Sequence, residues 1–283
     1  MTAAAPSSAV VITGASTGIG AAAAERLARD GFLVFAGVRS DADAARVEAL
    51  HANVRSVRLD VTDAASIAAA VNSVADANVP LRGLVNNAGI AVAGPLEFLP
   101  PGLLRRQFEV NFFGALAVTQ AFLPLLRPAR GRIVFVGSIS GRLSVPFIAP
   151  YSTSKFALRA AADALRIELV PAGIAVSLIE PSSVKTPIWQ KGRDSKADLL
   201  AVLPPEALDV YREQIEAVYA TTEGEERDAM PVEIVSDAIA HALTSPKPRA
   251  NYLLGKRARA GAILALLPAS LRDRAVRRSM RLP

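Results

Sequence analysis

The sequence predicts an α/β fold: a single doubly wound domain with a central parallel sheet of about seven strands and helices on both faces. Three observations carry this expectation. Short apolar runs rich in Val, Ile, Leu and Phe alternate with Ala-rich helical stretches along most of the chain, the pattern of successive β-α-β units. The apolar runs show no polar face, as strands covered by helices on both sides should not. A length of 283 residues suits one large domain with a sizeable core better than two small ones.

Taken in order, the first strand spans 9–13 and runs into a glycine turn, after which 18–30 reads as an Ala-rich helix. The strand at 33–38 and the helical pattern at 42–51 follow, then a strand at 54–60 and a helix at 64–78. A strand at 83–86 precedes a long helical stretch at 101–126. The fifth strand, 132–138, and the helix at 152–171 lead to a strand at 175–180, and a seventh falls near 251–254. Residues 187–230 break the alternation and read as a lid insertion; 255–283 form a basic C-terminal extension beyond a catalytic body of 1–254. Insertions of that length in compact domains are usually functional or disordered, and the apolar residues here favour function.

Composition excludes several chemistries. The chain has no cysteine and only two histidines, His51 and His241, which argues against thiol catalysis, a His-based metal site or a Ser-His-Asp triad. No metal is expected. The residues from Thr2 to Ser8 lack the basic and apolar regions of a signal peptide, and no apolar run is read as reaching the ~18 residues of a membrane span. A cytoplasmic protein is the expectation. Of the net charge of +6, residues 255–283 carry +7, from eight Lys/Arg against Asp273, so the preceding body sums to −1. Basic residues interleaved with aromatic platforms are missing from the body, so no nucleic-acid partner is expected.

The turn after the first strand reads Thr13-Gly14-Ala15-Ser16-Thr17-Gly18-Ile19-Gly20. Glycines at a strand exit allow a tight turn and a close backbone approach to a pyrophosphate, and the following helix N-terminus adds unpaired N–H groups. The spacing is G-x-x-x-G-x-G; a glycine triplet alone is also compatible with a purely structural turn. At the end of the second strand, Val38 stands where an NAD-selective site would place an acid, and Arg39 follows. A guanidinium there can pair with a 2′-phosphate, with hydroxyl support from Ser16 and Ser40. This favours NADP(H) over NAD(H), the alternative being a solvated surface arginine.

Tyr151 and Lys155 stand four residues apart at the start of a predicted helix, on one face. A phenol is a poor base at neutral pH, and a nearby ammonium favours its phenolate. Ser138, at the end of the fifth strand, is placed to hydrogen-bond a substrate oxygen. Asn111, in the preceding long helix, could hold a water relay to Lys155.

Together, TGASTGIG at 13–20, DVT at 60–62, NNAG at 86–89, Asn111, Ser138 and YSTSK at 151–155 resemble the short-chain dehydrogenase/reductase family over residues 9–186. NNAGIAVAGPLE at 86–97, EPSSVKTPIW at 180–189 and the LLP at 266–268 before basic residues resemble its retinol/hydroxysteroid dehydrogenase-like branch. The resemblance implies a Rossmann-type fold and a catalytic tetrad of Asn111, Ser138, Tyr151 and Lys155. It implies cofactor contacts from Gly14, Ser16, Thr17, Gly18, Ile19 and Gly20 in the turn, and from Arg39, Asp60, Val61, Asn87, Ala88 and Gly89 on the adenosine side. Around the nicotinamide it implies Tyr151, Lys155, Pro181, Val184 and Thr186. One departure is Ser182, where the family usually has glycine; a backbone needing positive φ there would be strained.

The implied reaction is hydride transfer between NADP(H) and a carbonyl or alcohol carbon, with Tyr151 exchanging the proton. Val145, Phe147, Ile188 and Trp189, beside Ser138 and Tyr151, suggest a small lipophilic carbonyl or alcohol substrate; ordinary core or oligomer contacts are the competing reading. The tail reads either as a basic element touching a membrane surface weakly or as a cover packed over the substrate entrance. Ala-rich faces at 112–117 and 157–164 suit a homo-oligomer or docking on the sheet. The rival functions are a non-catalytic NADP(H)-binding sensor and a peripheral membrane protein of the same fold.

Overall fold

A computed structural model describes residues 6–280, without the side chains of 189, 191–195, 221–223 and 225. Seven parallel strands form one sheet in the order β3-β2-β1-β4-β5-β6-β7. The strands are β1 (Ala9–Ile12), β2 (Leu33–Val38), β3 (Val54–Arg58), β4 (Leu81–Asn86), β5 (Arg132–Val136), β6 (Ala175–Pro181) and β7 (Asn251–Leu254). Each expected strand is present. β3 and β5 end two residues short because the chain leaves the sheet there to carry Asp60 and Ser138 above the strand ends.

On one side lie α1 (Gly18–Arg29) and α9 (Val232–Thr244), which pack on each other and on the central strands, with α2 (Asp41–Glu48) near the edge. The other side carries α3 (Ala64–Ala75), α5 (Ala115–Leu126) and α6 (Ala149–Glu168). Alternate residues of a strand face opposite layers, so Val10, Ile12 and Val34 join the α1/α9 core while Val11, Phe35 and Phe135 join the α3/α5/α6 core. Phe122 and Phe135 are fully buried, each contributing about 2–3 kcal/mol of transfer free energy.

The expected helix at 101–126 is continuous but not uniform. α4 (Pro101–Phe108) runs into a π-helical turn at Glu109–Gly114 before α5 begins. Contrary to the sequence reading, this 26-residue stretch is apolar enough by length and composition to cross a membrane. Its apolarity has another use here: Val118, Phe122 and Leu126 are fully buried against the sheet layer.

The insertion folds as α7 (Ile188–Val202) and α8 (Pro205–Arg227), and a parallel bridge from Val184 to Met230 closes it at its base. The extension forms α10 (Lys256–Leu264) and α11 (Ala269–Ser279). It packs back on the body: Val276 and Met280 are buried with Val218 of α8, against Leu143, Val145, Phe147 and Leu264. Arg281 lies outside the described residues.

Candidate active site

Strand order reverses direction at β1 and β4, and open α/β sheets bind ligands above the strand ends at such a point. The turn from β1 to α1 rises there. Gly14 and Gly18 have φ of +63° and +58°, values that disfavour any residue with a Cβ. Space matters equally. A Cβ on Gly14 would lie 2.8 Å from the Cα of Ala88, and one on Gly20 would lie 2.4 Å from the carbonyl oxygen of Gly14.

Thr13 ties this turn to the segment after β4. Its hydroxyl accepts from the amides of Asn87 and Ala88, both at 3.0 Å, and donates to the Val85 carbonyl at 3.5 Å. The Asn87 carboxamide donates to the carbonyls of Thr13 and Gly14 at 3.0 and 2.9 Å, so it braces the turn from the β4 side. Thr17 opens α1 without a side-chain cap, and the first turn carries no acid. The leading N–H groups of α1 are therefore open to an anion. Thr186 lies over this turn, its Cβ 3.1 Å from where a Cβ on Gly18 would stand. A dinucleotide pyrophosphate fits this cradle.

Arg39 is exposed at the end of β2 and lines a cleft of about 450 Å³ with Arg58, Asp60, Asp63 and Ser66. The Asp60 carboxylate accepts from the Thr62 amide and hydroxyl at 2.9 and 2.7 Å. Those bonds, with a smaller contribution from the charge of Arg39, hold its pKa below the usual carboxylate value. Ser40 caps α2 by accepting from the Asp43 amide. Arg46 of α2 donates to the Ser16 carbonyl at 3.3 Å, a second cation beside the turn that the sequence reading missed. Val61 is buried in the core against Gly114, so only its backbone can face the cleft.

Above β5, Ser138 begins a short 3-10 turn and its oxygen accepts from the Ser140 amide at 3.1 Å. That turn is pressed onto α6: a Cβ on Gly141 would come 2.8 Å from the Lys155 carbonyl oxygen. The contact brings Ser138 to the first turn of α6, where its hydroxyl favours the phenolate form of Tyr151. Lys155, one turn further on, is 5% exposed. Its Nζ donates to the Val136 carbonyl at 2.8 Å and stands 5.7 Å from the centroid of the Tyr151 ring. Burial holds the Lys155 pKa down at about 8. Burial also pushes Tyr151 up, and the Ser138 hydroxyl is the influence that lowers it. The sequence reading gave that lowering to Lys155, whereas the Ser138 hydroxyl supplies it here and burial outweighs it.

Asn111 has its carboxamide engaged by protein groups. It sits in the π-helical turn, 1% exposed. Its Oδ1 accepts from the Ile90 amide at 2.9 Å, and its Nδ2 donates to the Ile90 carbonyl at 3.0 Å and to Ser154 Oγ at 3.2 Å. Gln107, one turn earlier, repeats the pattern: it accepts from the Val92 amide at 2.7 Å and donates to Ile90 O at 2.8 Å. These two carboxamides fasten the 90–92 segment to α6. Gln107 and Ser154 were missed, although two carboxamides four apart on a buried apolar helix face are a readable signal. π-Turns inside α-helices often mark functional sites.

Behind the site, Arg142 grips Glu180, with Nε to Oε1 at 2.7 Å and a second bond to Oε2 at 2.5 Å. Burial, charge and two parallel bonds lock the turn after Ser138 to the end of β6. Pro181 ends β6 in the core, and Val184 is bracketed by two bonds at 2.9 Å, from the Lys185 amide to the Met230 carbonyl and from the Met230 amide to the Ser183 carbonyl. Ser182 has no positive φ; its amide donates to the Leu254 carbonyl at 3.0 Å, so serine is accommodated without strain.

Tyr211 packs edge to face with both Phe98 and Phe147, and its hydroxyl donates to Glu97 at 2.8 Å. Phe147 adopts φ of +67°, an unusual conformation for a bulky residue. Val145 borders the same apolar wall. Ile188 is 40% exposed and joins none of the apolar clusters. The Trp189 side chain lies outside the described residues.

The family described as short chain dehydrogenase matches residues 8–197. The chain is 34% identical over 273 residues to an NADPH-dependent 3-dehydrocapnine reductase of Ornithobacterium rhinotracheale, covering 93% of this chain and 94% of that one. It is 37% identical over 262 residues to an 11-beta-hydroxysteroid dehydrogenase type 2 of Oryctolagus cuniculus, covering 88% of this chain and 64% of the relative. A solved short chain dehydrogenase from Burkholderia cenocepacia in complex with NADP superposes with a TM-score of 0.71 at 28% identity, over 98% of each chain.

Proposed function

The chain belongs to the short-chain dehydrogenase family and is an oxidoreductase that uses NADP(H) on alcohol and carbonyl groups; within that, we propose that its substrate is a lipophilic secondary alcohol, ketone or aldehyde of the steroid, retinoid or long-chain class, with Tyr151 as acid/base. The observation that carries the chemistry is the placing of Tyr151 at the first turn of α6, against the Ser138 turn, with Lys155 buried one helical turn behind it and its Nζ 5.7 Å from the Tyr151 ring. When bound, the dinucleotide supplies or accepts the hydride.

Ser138 orients the substrate oxygen and Tyr151 gives it a proton during reduction or takes one during oxidation. Burial keeps Tyr151 protonated at neutral pH, which suits the proton-giving role. Lys155, with its pKa near 8, is still an ammonium at pH 7 and stabilises the phenolate left when the proton departs. Asn111 and Gln107 hold α6, and with it Tyr151, against the 90–92 segment. Gly14, Thr17, Gly18 and the α1 N-terminus hold the pyrophosphate, while Arg39 pairs with the 2′-phosphate.

The substrate class rests on the wall opposite Ser138. Val145 and Phe147 meet Tyr211 of the lid and Leu264, Val276 and Met280 of the extension, which favours the tail as a cover. The names of the two relatives, a dehydrocapnine reductase and a hydroxysteroid dehydrogenase, are consistent with this class. Residues 1–254 form the proposed catalytic body, with 187–230 as its lid. The proposal includes a cytoplasmic location, weak contact of the tail with a membrane surface, and a homo-oligomer formed through the helix faces that expose Phe113 and Phe156.

The test is Tyr151→Phe. Reduction of lipophilic ketones should fall at least ~1,000-fold, in line with loss of a general acid and its orientation, while NADPH binding by fluorescence titration is retained. Unchanged turnover would sink the role of Tyr151. Wild type that binds NADPH but turns over no carbonyl in a broad screen would instead favour the sensor.

A further inference from the structure

The two helices of the extension have faces of opposite kind. At about 100° per residue, the inward side of α11 carries Val276 and Met280, both buried. The far side carries Leu271, Arg274 and Arg278, all exposed. On α10, Ala258 is buried and Gly261 lies against Ile139, so Arg259 and Ile263 point outward. The elbow between the helices adds Leu266 and Leu267 just before Pro268. Ile263, Leu266 and Leu271 are 67%, 86% and 50% exposed.

Soluble surfaces carry scattered apolar side chains without consequence. Four within nine residues, at the tip of one elbow, form a patch that asks for a partner. Its surroundings say which kind. The extension concentrates the protein's positive charge, with seven Lys/Arg from 256 to 278 against Asp273. Arg257 faces Asp228 and Arg272 faces Asp273. Arg259, Arg274 and Arg278 are exposed and have no ion-pair partner among the described residues.

We propose that the α10–α11 elbow is an interfacial anchor for an anionic lipid surface. Ile263, Leu266, Leu267 and Leu271 enter the boundary between headgroups and acyl chains, and Arg259, Arg274 and Arg278 meet the lipid phosphates and carboxylates. This rests on the tail contact proposed above and adds its geometry and its lipid chemistry. The same two helices bear on Val145 and Phe147 through Leu264, Val276 and Met280. Docking by the elbow therefore sets the substrate wall beside the bilayer, the phase in which a lipophilic carbonyl is concentrated.

The test uses the full-length protein and vesicles of phosphatidylcholine with or without phosphatidylserine, read by flotation. Wild type binds the phosphatidylserine vesicles about tenfold more tightly than the neutral ones, and binding falls at least about tenfold when salt rises from about 0.1 to 0.5 M. The I263S/L266S variant loses binding through its apolar arm, and R274Q/R278Q through its charged arm. Both retain NADPH-dependent reduction of a water-soluble ketone without vesicles, which reports the catalytic reading separately. Absence of wild-type binding at low salt, equal binding to both vesicle types, or full binding by either variant overturns the anchor. So does an oligomer that I263S/L266S dissociates while wild type ignores vesicles, which would assign the patch to a second copy of the chain.

Discussion

Arg142 and Glu180 offer the sharpest energetic test of how the catalytic turn is held. The Glu180 side chain is fully buried and the Arg142 side chain is 22% exposed, so the two bonds between them work in a poorly solvated setting. Arg142→Met leaves a buried carboxylate without its cation, a change that costs about 3–5 kcal/mol. Glu180→Gln leaves Arg142 able to reach water and one hydrogen bond in place, so about 1–3 kcal/mol is expected. Replacing both removes the mismatch, and the double variant should be more stable than the sum of the singles predicts by about 2 kcal/mol.

In a chain of this size each kcal/mol lowers Tm by roughly 2–4 °C, so Arg142→Met should melt about 6–20 °C below wild type. Urea unfolding of all four proteins gives the cycle, provided the slopes agree. Because the pair fixes the turn that starts at Ser138, kcat should fall in Arg142→Met more than NADPH affinity does. Additive singles, or an Arg142→Met change under about 0.5 kcal/mol, would refute the reasoning by showing that solvent screens the pair.

Two further predictions concern charge. Burial lowers the Lys155 pKa from 10.5 to about 8, so between those values the unfolded chain binds one more proton than the folded one. Stability of the cofactor-free protein therefore rises from pH 8 towards pH 10, by about 2 kcal/mol, and Tyr151, shifted upward, opposes this only above pH 10. Urea unfolding at both ends of that window should show the rise in wild type and not in Lys155→Met; equal slopes would discard the burial argument. Arg39→Ala should weaken NADPH binding about 10–30-fold, the worth of a charge-assisted contact, and leave NADH binding nearly unchanged. Parallel losses for both dinucleotides in calorimetric titration would remove Arg39 from the 2′-phosphate.

What the sequence disclosed is what lies close along the chain. The glycine turn, the strands and the Tyr151/Lys155 spacing each depend on a few consecutive residues, and all occur at or close to where local pattern places them. The π-helical turn was hidden because Glu109–Gly114 sits inside an apolar helical pattern whose composition does not change. Pairings such as Arg142 with Glu180, or Gln107 with Ile90 and Val92, arise only when strands and helices are assembled. The fate of the tail was open for the same reason. Its amphipathic pattern fits water, lipid or protein, and only the position of Val218 and the 143–147 wall selects protein for the inner face.

The bracing of the β1 turn by Thr13 and Asn87 also sets an order of events during synthesis. A nascent chain that has emerged only through β3 already contains Gly14, Gly18, Gly20 and the whole of α1. It still lacks Asn87 and Ala88, whose amides occupy the Thr13 hydroxyl and whose backbone walls Gly14. The phosphate cradle is thus completed only when β4 leaves the ribosome, and the apolar wall waits for Val276 and Met280, far later in the chain. Translation completes the glycine cradle before the apolar wall, so a ribosome stalled between β4 and α11 would hold a chain with its cradle formed and that wall still open.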